Sequence, residues 1–290
     1  LAVTFLGDFN LMADRSKVNS MKHAVARPTL FLLSLASAMV LLQKPSPADP
    51  RAPQQMGTPV VVELFTSEGC SSCPPADALL ARLSEGPLAG NLQLIALEEH
   101  VDYWNDQGWI DPFSSRDWTT RQSVYAGTLG NRNPYTPQMV VDGTVEFVGN
   151  HSQQARDLIL KAASKAKIPV MLTQVNLDSQ GKGNFSAKVG KLEGVSQGDA
   201  AEVWLAITET GLHSAVTRGE NAGEELRHAA VVRSMRKIGE AKNSGEISFT
   251  GEASASLPKD WKRENLRAVL LLQEKKSRRI LGATEIRLGQ

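Results

Sequence analysis

Thr58-Pro-Val-Val-Val-Glu-Leu-Phe-Thr-Ser-Glu-Gly-Cys-Ser-Ser-Cys-Pro-Pro-Ala-Asp-Ala-Leu-Leu-Ala-Arg-Leu83 is the stretch that decides how this chain is read. Its first half is a β-branched run bounded by Pro59 and by Ser67-Glu-Gly69, which suits a buried parallel strand. Its second half sets Ala76, Leu79, Leu80 and Leu83 at helical spacing. Pro74 and Pro75 fall in the first turn, where a missing N–H costs little, and Gly86-Pro87 stops the helix. The only two cysteines of the chain, Cys70 and Cys73, sit where strand hands over to helix.

Working outward, Leu92 to Leu97 is a second apolar strand. Ser114 or Ser115 caps a helix running to about Leu129, with Trp118, Gln122, Tyr125 and Leu129 on one side and Gly130 just beyond its end. Gln138 to Val141 and Thr144 to Val148 are strands joined by Asp142-Gly143, a strong two-residue hairpin signal. Ser152 caps a last helix with Ala155, Leu158, Ile159, Ala162 and Ala163 inward, stopped by Pro169. The order β-α-β-α-β-β-α over residues 58–167 is the plan of a thioredoxin-like α/β domain. Beyond it, Val170 to Leu177, Asn184 to Val189, Glu202 to Thr208, Ile247 to Ala253, Leu266 to Gln273 and Arg279 to Leu288 read as strands with no strong helix between them. A separate all-β, sandwich-like domain is expected over 168–290.

The chain has 290 residues, with 32 Lys+Arg against 31 Asp+Glu and 41% hydrophobic content, which is the balance of a globular chain with a real core. A formal charge of +1 excludes nucleic acid or another polyanion as the main partner. Two cysteines exclude a multi-bridge scaffold and a four-cysteine zinc site.

The N-terminal segment reads as a targeting signal. Met21 is followed by Lys22, His23 and Arg27, an apolar run from Leu30 to Leu42, and the loop-like Lys44 to Pro50. The run is short of the roughly 20 residues that span a bilayer. Ala36-Ser37-Ala38 offers a cleavage site, and an uncleaved anchor is the one route to a membrane. Residues 1–20, ahead of that methionine, read as a non-native extension, and 21–50 as signal and linker. The expected location is exported, periplasmic or secreted.

A Cys-x-x-Cys at a strand-to-helix junction has a chemical purpose. A thiol at a helix N-terminus is stabilised as thiolate by unpaired N–H groups and the positive end of the dipole. Cys70 is the expected nucleophile, and Cys73 resolves a mixed disulfide formed there. The partner is then a protein dithiol or disulfide of the cell envelope, and no organic cofactor or metal is required. Two other readings stand beside it: a static disulfide, and a metal held by Cys70, Cys73 and a nearby His, although His100 has no companion ligands in the local sequence.

Val62 to Asp77, His100-Val-Asp-Tyr-Trp-Asn105, Gly108-Trp109, Asp111-Pro-Phe113 and Tyr135 to Gly143 together resemble the DUF1223 family of exported, thioredoxin-like bacterial proteins. The resemblance continues through Arg218 to Gly223 and His228 to Arg233, and it implies a fold more than an activity. One departure is Glu98-Glu99, where a small or aromatic residue is expected; a carboxylate facing the motif raises the Cys70 pKa. The wider thioredoxin likeness implies that Thr136-Pro137 is cis and faces the cysteines, bringing the Thr136 backbone toward an extended substrate. It also implies a buried acid near Cys73, for which Glu63 is the nearest equivalent; a solvent-facing strand Glu is the alternative.

Seven of the sixteen aromatics fall between Tyr103 and Tyr135, inside an insert spanning 98–135. Tyr103, Trp104, Trp109 and Tyr135, with Gln138 beside them, form either a substrate cleft or the small core of the insert. His100 and Asp102 are acid–base candidates there, and a hydrogen-bonded core histidine is the alternative. Arg218, Glu220, Asn221, His228 and Arg233 form either a polar site or turn and interface contacts.

Overall fold

The computed structural model describes residues 57–288, apart from 87, 89, 90 and 132. The expected signal segment and the residues before it lie outside that range. Among the described residues, no helix is long and apolar enough to cross a membrane.

The first part follows the expected order: β1 (Thr58–Thr66), α1 (Pro74–Glu85), β2 (Leu92–His100), α2 (Arg116–Leu129), β3 (Gln138–Val141), β4 (Val145–Val148) and α3 (Ser152–Ala163). Ser115 caps α2 by accepting from the Asp117 N–H, and Gly130 ends it in the left-handed conformation at φ 82°. β1 pairs parallel with β2 and antiparallel with β3. Along β1 the residues alternate: Val60, Val62 and Leu64 pack with Leu79, Leu80, Ala155 and Ile159 of α1 and α3, while Val61 packs with Trp118 of α2.

Strands β5 (Val170–Leu177), β6 (Lys182–Gly190), β7 (Ala201–Glu209), β8 (Leu212–Ala215), β9 (Glu225–His228), β10 (Val231–Ala241), β11 (Ile247–Ser256), β12 (Leu266–Glu274) and β13 (Ile280–Arg287) complete the chain. They do not stand apart as a second body. One sheet of eight strands runs β13-β12-β7-β10-β2-β1-β3-β4, and the described residues fall in one compact unit. The separate β-sandwich expected over 168–290 is corrected accordingly. β10 makes the join, parallel to β2 at Val231↔Glu98 and antiparallel to β7 along its length. It was invisible to periodicity because register shifts at Val232/Ser234 and Lys237/Gly239 break its alternation. The sandwich element that does exist is the three-stranded sheet β11-β6-β5, whose Leu172, Phe185, Ala187 and Val189 pack with Val203, Leu205, Ile207, Leu270 and Leu272.

β2 also runs further than its apolar residues do. Glu98, Glu99 and His100 continue it and are fully buried, contrary to the usual exposure of charge. That burial requires partners, and they build the site.

Candidate functional site

Cys70 and Cys73 form a disulfide directly ahead of α1. Cys73 is the N-cap residue, and its N–H donates to the Cys70 carbonyl at 3.1 Å, so the pair closes a tight turn. The helix end is poor in free donors. Pro74 and Pro75 have no N–H, and the next two amides, Ala76 and Asp77, donate to the Cys73 carbonyl at 2.8 and 3.1 Å. One polar group beside the sulfur is the Ser72 hydroxyl, 3.4 Å from Cys70 Sγ.

Both cysteines are fully buried, whereas Ser71 and Ser72 are exposed. The loop joining β8 to β9 contributes the cover. Asn221 Nδ2 donates to the Glu68 carbonyl at 2.8 Å and the Cys70 carbonyl at 3.1 Å, while Glu220 accepts from the Ser71 N–H at 3.0 Å. Trp104 packs against Gly69: a Cβ there would stand 3.1 Å from the Trp104 Cβ, closer than side chains normally approach. Trp104 Nε1 in turn donates to Thr136 Oγ1 at 2.8 Å. Thr136-Pro137 is cis, and a Cβ on Gly149 would touch both Pro137 and Ala76, which places the proline beside the first turn of α1.

Beneath the cysteine loop lies a buried cluster of two imidazoles and four carboxyls. His228 on β9 faces Glu98 through Nδ1 at 2.7 Å and Glu68 through Nε2 at 3.0 Å. His100 faces Asp111 through Nδ1 at 2.7 Å and approaches Glu98 Oε1 through Nε2 at 3.3 Å, without hydrogen-bond geometry. The rings meet edge to face 4.7 Å apart, and Phe113 packs on both. Asp111 also accepts from the Glu68 N–H at 2.8 Å, tying the insert to the cysteine loop. Asp77, on the helix face that carries Cys73, accepts from Thr66 Oγ1 at 2.6 Å.

The charges interlock. Burial works against charged imidazoles, yet Asp111 pushes His100 up to about 9, and Glu98 with Glu68 pushes His228 up to about 11. Burial alone would raise Glu98, but His228 and His100 hold it below the usual carboxylate range. Asp77 has no such cation of its own, and burial followed by Glu98 pushes it up to about 7.

The family profile described as a protein of unknown function (DUF1223) matches residues 61–273, a span that includes the disulfide, the cover loop and every member of the cluster. The chain belongs to the DUF1223 family. A crystal structure of an Agrobacterium tumefaciens protein, a structural-genomics target, is similar to this DUF1223 chain at 26% identity and a TM-score of 0.59, covering 80% of this chain and 94% of that one. HBP35 of Porphyromonas gingivalis is similar at 16% identity and a TM-score of 0.62, over 80% and 76%, which shows a shared fold. No match was found among curated proteins.

Within the DUF1223 chain the expected site residues divide. Cys70, Cys73, Thr136, Pro137 and Trp104 come together. Trp109 joins them through Glu68, to which its Nε1 donates at 2.7 Å. Glu63 does not: it is held by Arg121 at 2.6 Å and by the Tyr125 hydroxyl, partners carried by α2, while Asp77, four residues after Cys73, is the buried carboxyl of α1. Gln138 is buried and bonded to Gln122 and Glu146 at 3.0 Å each, and the Tyr135 hydroxyl also reaches Glu146, so these side chains brace the insert. Tyr103 is exposed, and Asp102 accepts from Thr119 at 2.5 Å. Glu98 and Glu99 part to opposite faces, Glu98 to the histidines and Glu99 to Arg121 at 3.3 Å. Of the C-terminal polar residues, Glu220, Asn221 and His228 reach the cysteine loop and cluster, while Arg233 stacks on Phe113 and Trp261. Glu68, Asp77 and Asp111 escaped sequence reasoning. The available signal was the charged Glu98-Glu99-His100 run at the carboxyl end of a parallel strand, where α/β sheets place their sites.

Proposed function

We propose that this DUF1223 protein is an exported, thioredoxin-like protein that exchanges disulfides with proteins of the cell envelope. The observation carrying the reading is the Cys70–Cys73 disulfide in the turn ahead of α1, with the Thr136-Pro137 segment beside it. With the pair reduced, the Cys70 thiolate attacks a partner disulfide and one partner sulfur leaves as a thiol. Cys73, giving up its proton, then attacks the mixed disulfide at Cys70, which releases the second partner thiol and re-forms the Cys70–Cys73 bond; the reverse sequence oxidises a partner dithiol. Asp77 is the acid buried on the Cys73 face of α1, with a pKa suited to proton transfer near neutrality. Export rests on the Met21 to Pro50 segment of the sequence.

Burial of both sulfurs favours a second reading, a structural bridge that staples the start of α1. Two measurements separate them. A reduction potential between roughly −270 and −120 mV suits exchange, and one below about −300 mV suits the staple. Cys73→Ala should trap an envelope protein through Cys70; repeated failure to capture one in the exporting cell removes the exchange reading.

A further inference from the structure

We propose that Glu98, His100 and His228 form a binding site for one divalent transition-metal ion, with zinc the best-matched probe. The observation is convergence. His228 Nδ1 and His100 Nε2 both point at the same oxygen, Glu98 Oε1, at 2.7 and 3.3 Å, and the three ligand atoms lie within 4.8 Å of one another. All three residues are fully or almost fully buried.

The outer contacts are those that metal-bound histidines need. The ring nitrogen of each histidine that faces away from Glu98 Oε1 meets a separate carboxylate: Asp111 at 2.7 Å for His100 and Glu68 at 3.0 Å for His228. Such partners fix the tautomer and aim the ligating nitrogen. Glu98 is likewise oriented, because its Oε2 accepts from the Ala229 N–H at 2.8 Å while Oε1 faces both histidine nitrogens. Among the described residues His100 Nε2 has no hydrogen-bond partner although it is buried, a costly condition that a cation at this point relieves.

Two of the three ligand separations are near those of a small ion, and the two histidine nitrogens, within 4.8 Å of each other, draw together around it. Tetrahedral ligands at Zn–N and Zn–O distances of about 2.0–2.1 Å stand about 3.3 Å apart. The His100–Glu98 separation has that value already, and the His228–Glu98 contact must open by about half an ångström, from 2.7 Å. Two imidazoles and one carboxylate leave one coordination position for water or a ligand. No cysteine takes part, so this site is distinct from a metal held by the Cys70–Cys73 pair and does not depend on the exchange reading. His228 is carried by the β8–β9 hairpin, which forms a two-stranded sheet of its own.

The test is titration of the chelator-treated full chain with Zn2+ against a competing chromophoric chelator, repeated with Co2+. The site predicts one equivalent of Zn2+, four-coordinate Co2+ absorption bands, and both retained in Cys70→Ser/Cys73→Ser. Glu98→Gln and His228→Gln should each weaken binding at least tenfold, and Asp111→Asn by roughly 10- to 100-fold. Because buried substitutions risk unfolding, X-ray absorption on the zinc-loaded parent gives an independent reading: nitrogen and oxygen ligands near 2.0 Å with imidazole scattering, and no sulfur near 2.3 Å. Absence of stoichiometric binding, sulfur in the inner shell, or full affinity in a folded His228→Gln variant overturns the proposal.

Discussion

The Asn221 side chain donates to the Cys70 carbonyl at 3.1 Å, across 151 residues of sequence. It makes a second bond to the Glu68 carbonyl at 2.8 Å, so one buried amide latches the β8–β9 loop onto the cysteine turn. The latch ties this loop to the turn whose two cysteines are fully buried.

Asn221→Ala removes both bonds, each worth about 1 kcal/mol net. The expected outcome is a roughly tenfold or greater acceleration of disulfide reduction by a small dithiol, measured by quenched alkylation and mass shift. An unchanged rate means that the cover opens by another route.

Gly143 lies in the β3–β4 turn at φ 64°, and a Cβ there would stand 2.0 Å from the Arg278 carbonyl. Gly143→Ala should cost about 2–4 kcal/mol, combining left-handed strain with overpacking against backbone. The Arg278 end of this contact leads into β13, so the loss should appear in a single urea transition shared by tryptophan fluorescence and circular dichroism. Two separate transitions would mean that the halves of the sheet unfold independently.

The histidines make the metal-free protein sensitive to alkali. Folded His100 titrates near 9 against 6.5 for the free side chain, so its stabilisation is complete below pH 6.5 and is lost as pH rises to about 9. His228 has the same sign, with loss extending to about pH 11. Unfolding free energy of the metal-free chain should fall between pH 7 and 9, and His100→Gln should flatten that fall. A flat parent profile contradicts the charged pair.

Asp77 acts in a different window. Its folded pKa of about 7 exceeds the ordinary 3.8, so the unfolded state releases this proton first and stability declines from about pH 4 to 7. Asp77→Asn should gain stability relative to the parent as pH rises through that window, while slowing disulfide exchange near neutrality. Equal pH dependence in parent and variant would mean that the carboxyl is ionised throughout.

The local part of this structure was legible because its causes are local. The strand at Thr58–Thr66, the helix start at Pro74, the Ser115 cap, the Asp142-Gly143 turn and the Cys70–Cys73 turn each depend on residues a few positions apart, where periodicity, capping and turn chemistry act. Most of the later strands were legible for the same reason. The Thr136-Pro137 position followed from order along the chain and from likeness to a family.

Tertiary structure alone decided the rest. Glu98 and His100 read as the polar end of a strand until β10 pairs with β2 at Val231↔Glu98 and β9 delivers His228, 130 residues from Glu98. Buried charge is tolerable only when its partners arrive with it, and those partners come from the cysteine loop, the aromatic insert and the β8–β9 hairpin. β10 itself is bulged and rich in charged residues, so its place between β2 and β7 comes from pairing on both sides rather than from its own pattern. The sequence carries every member of the site, but no window along it contains them together; long-range strand pairing makes them neighbours.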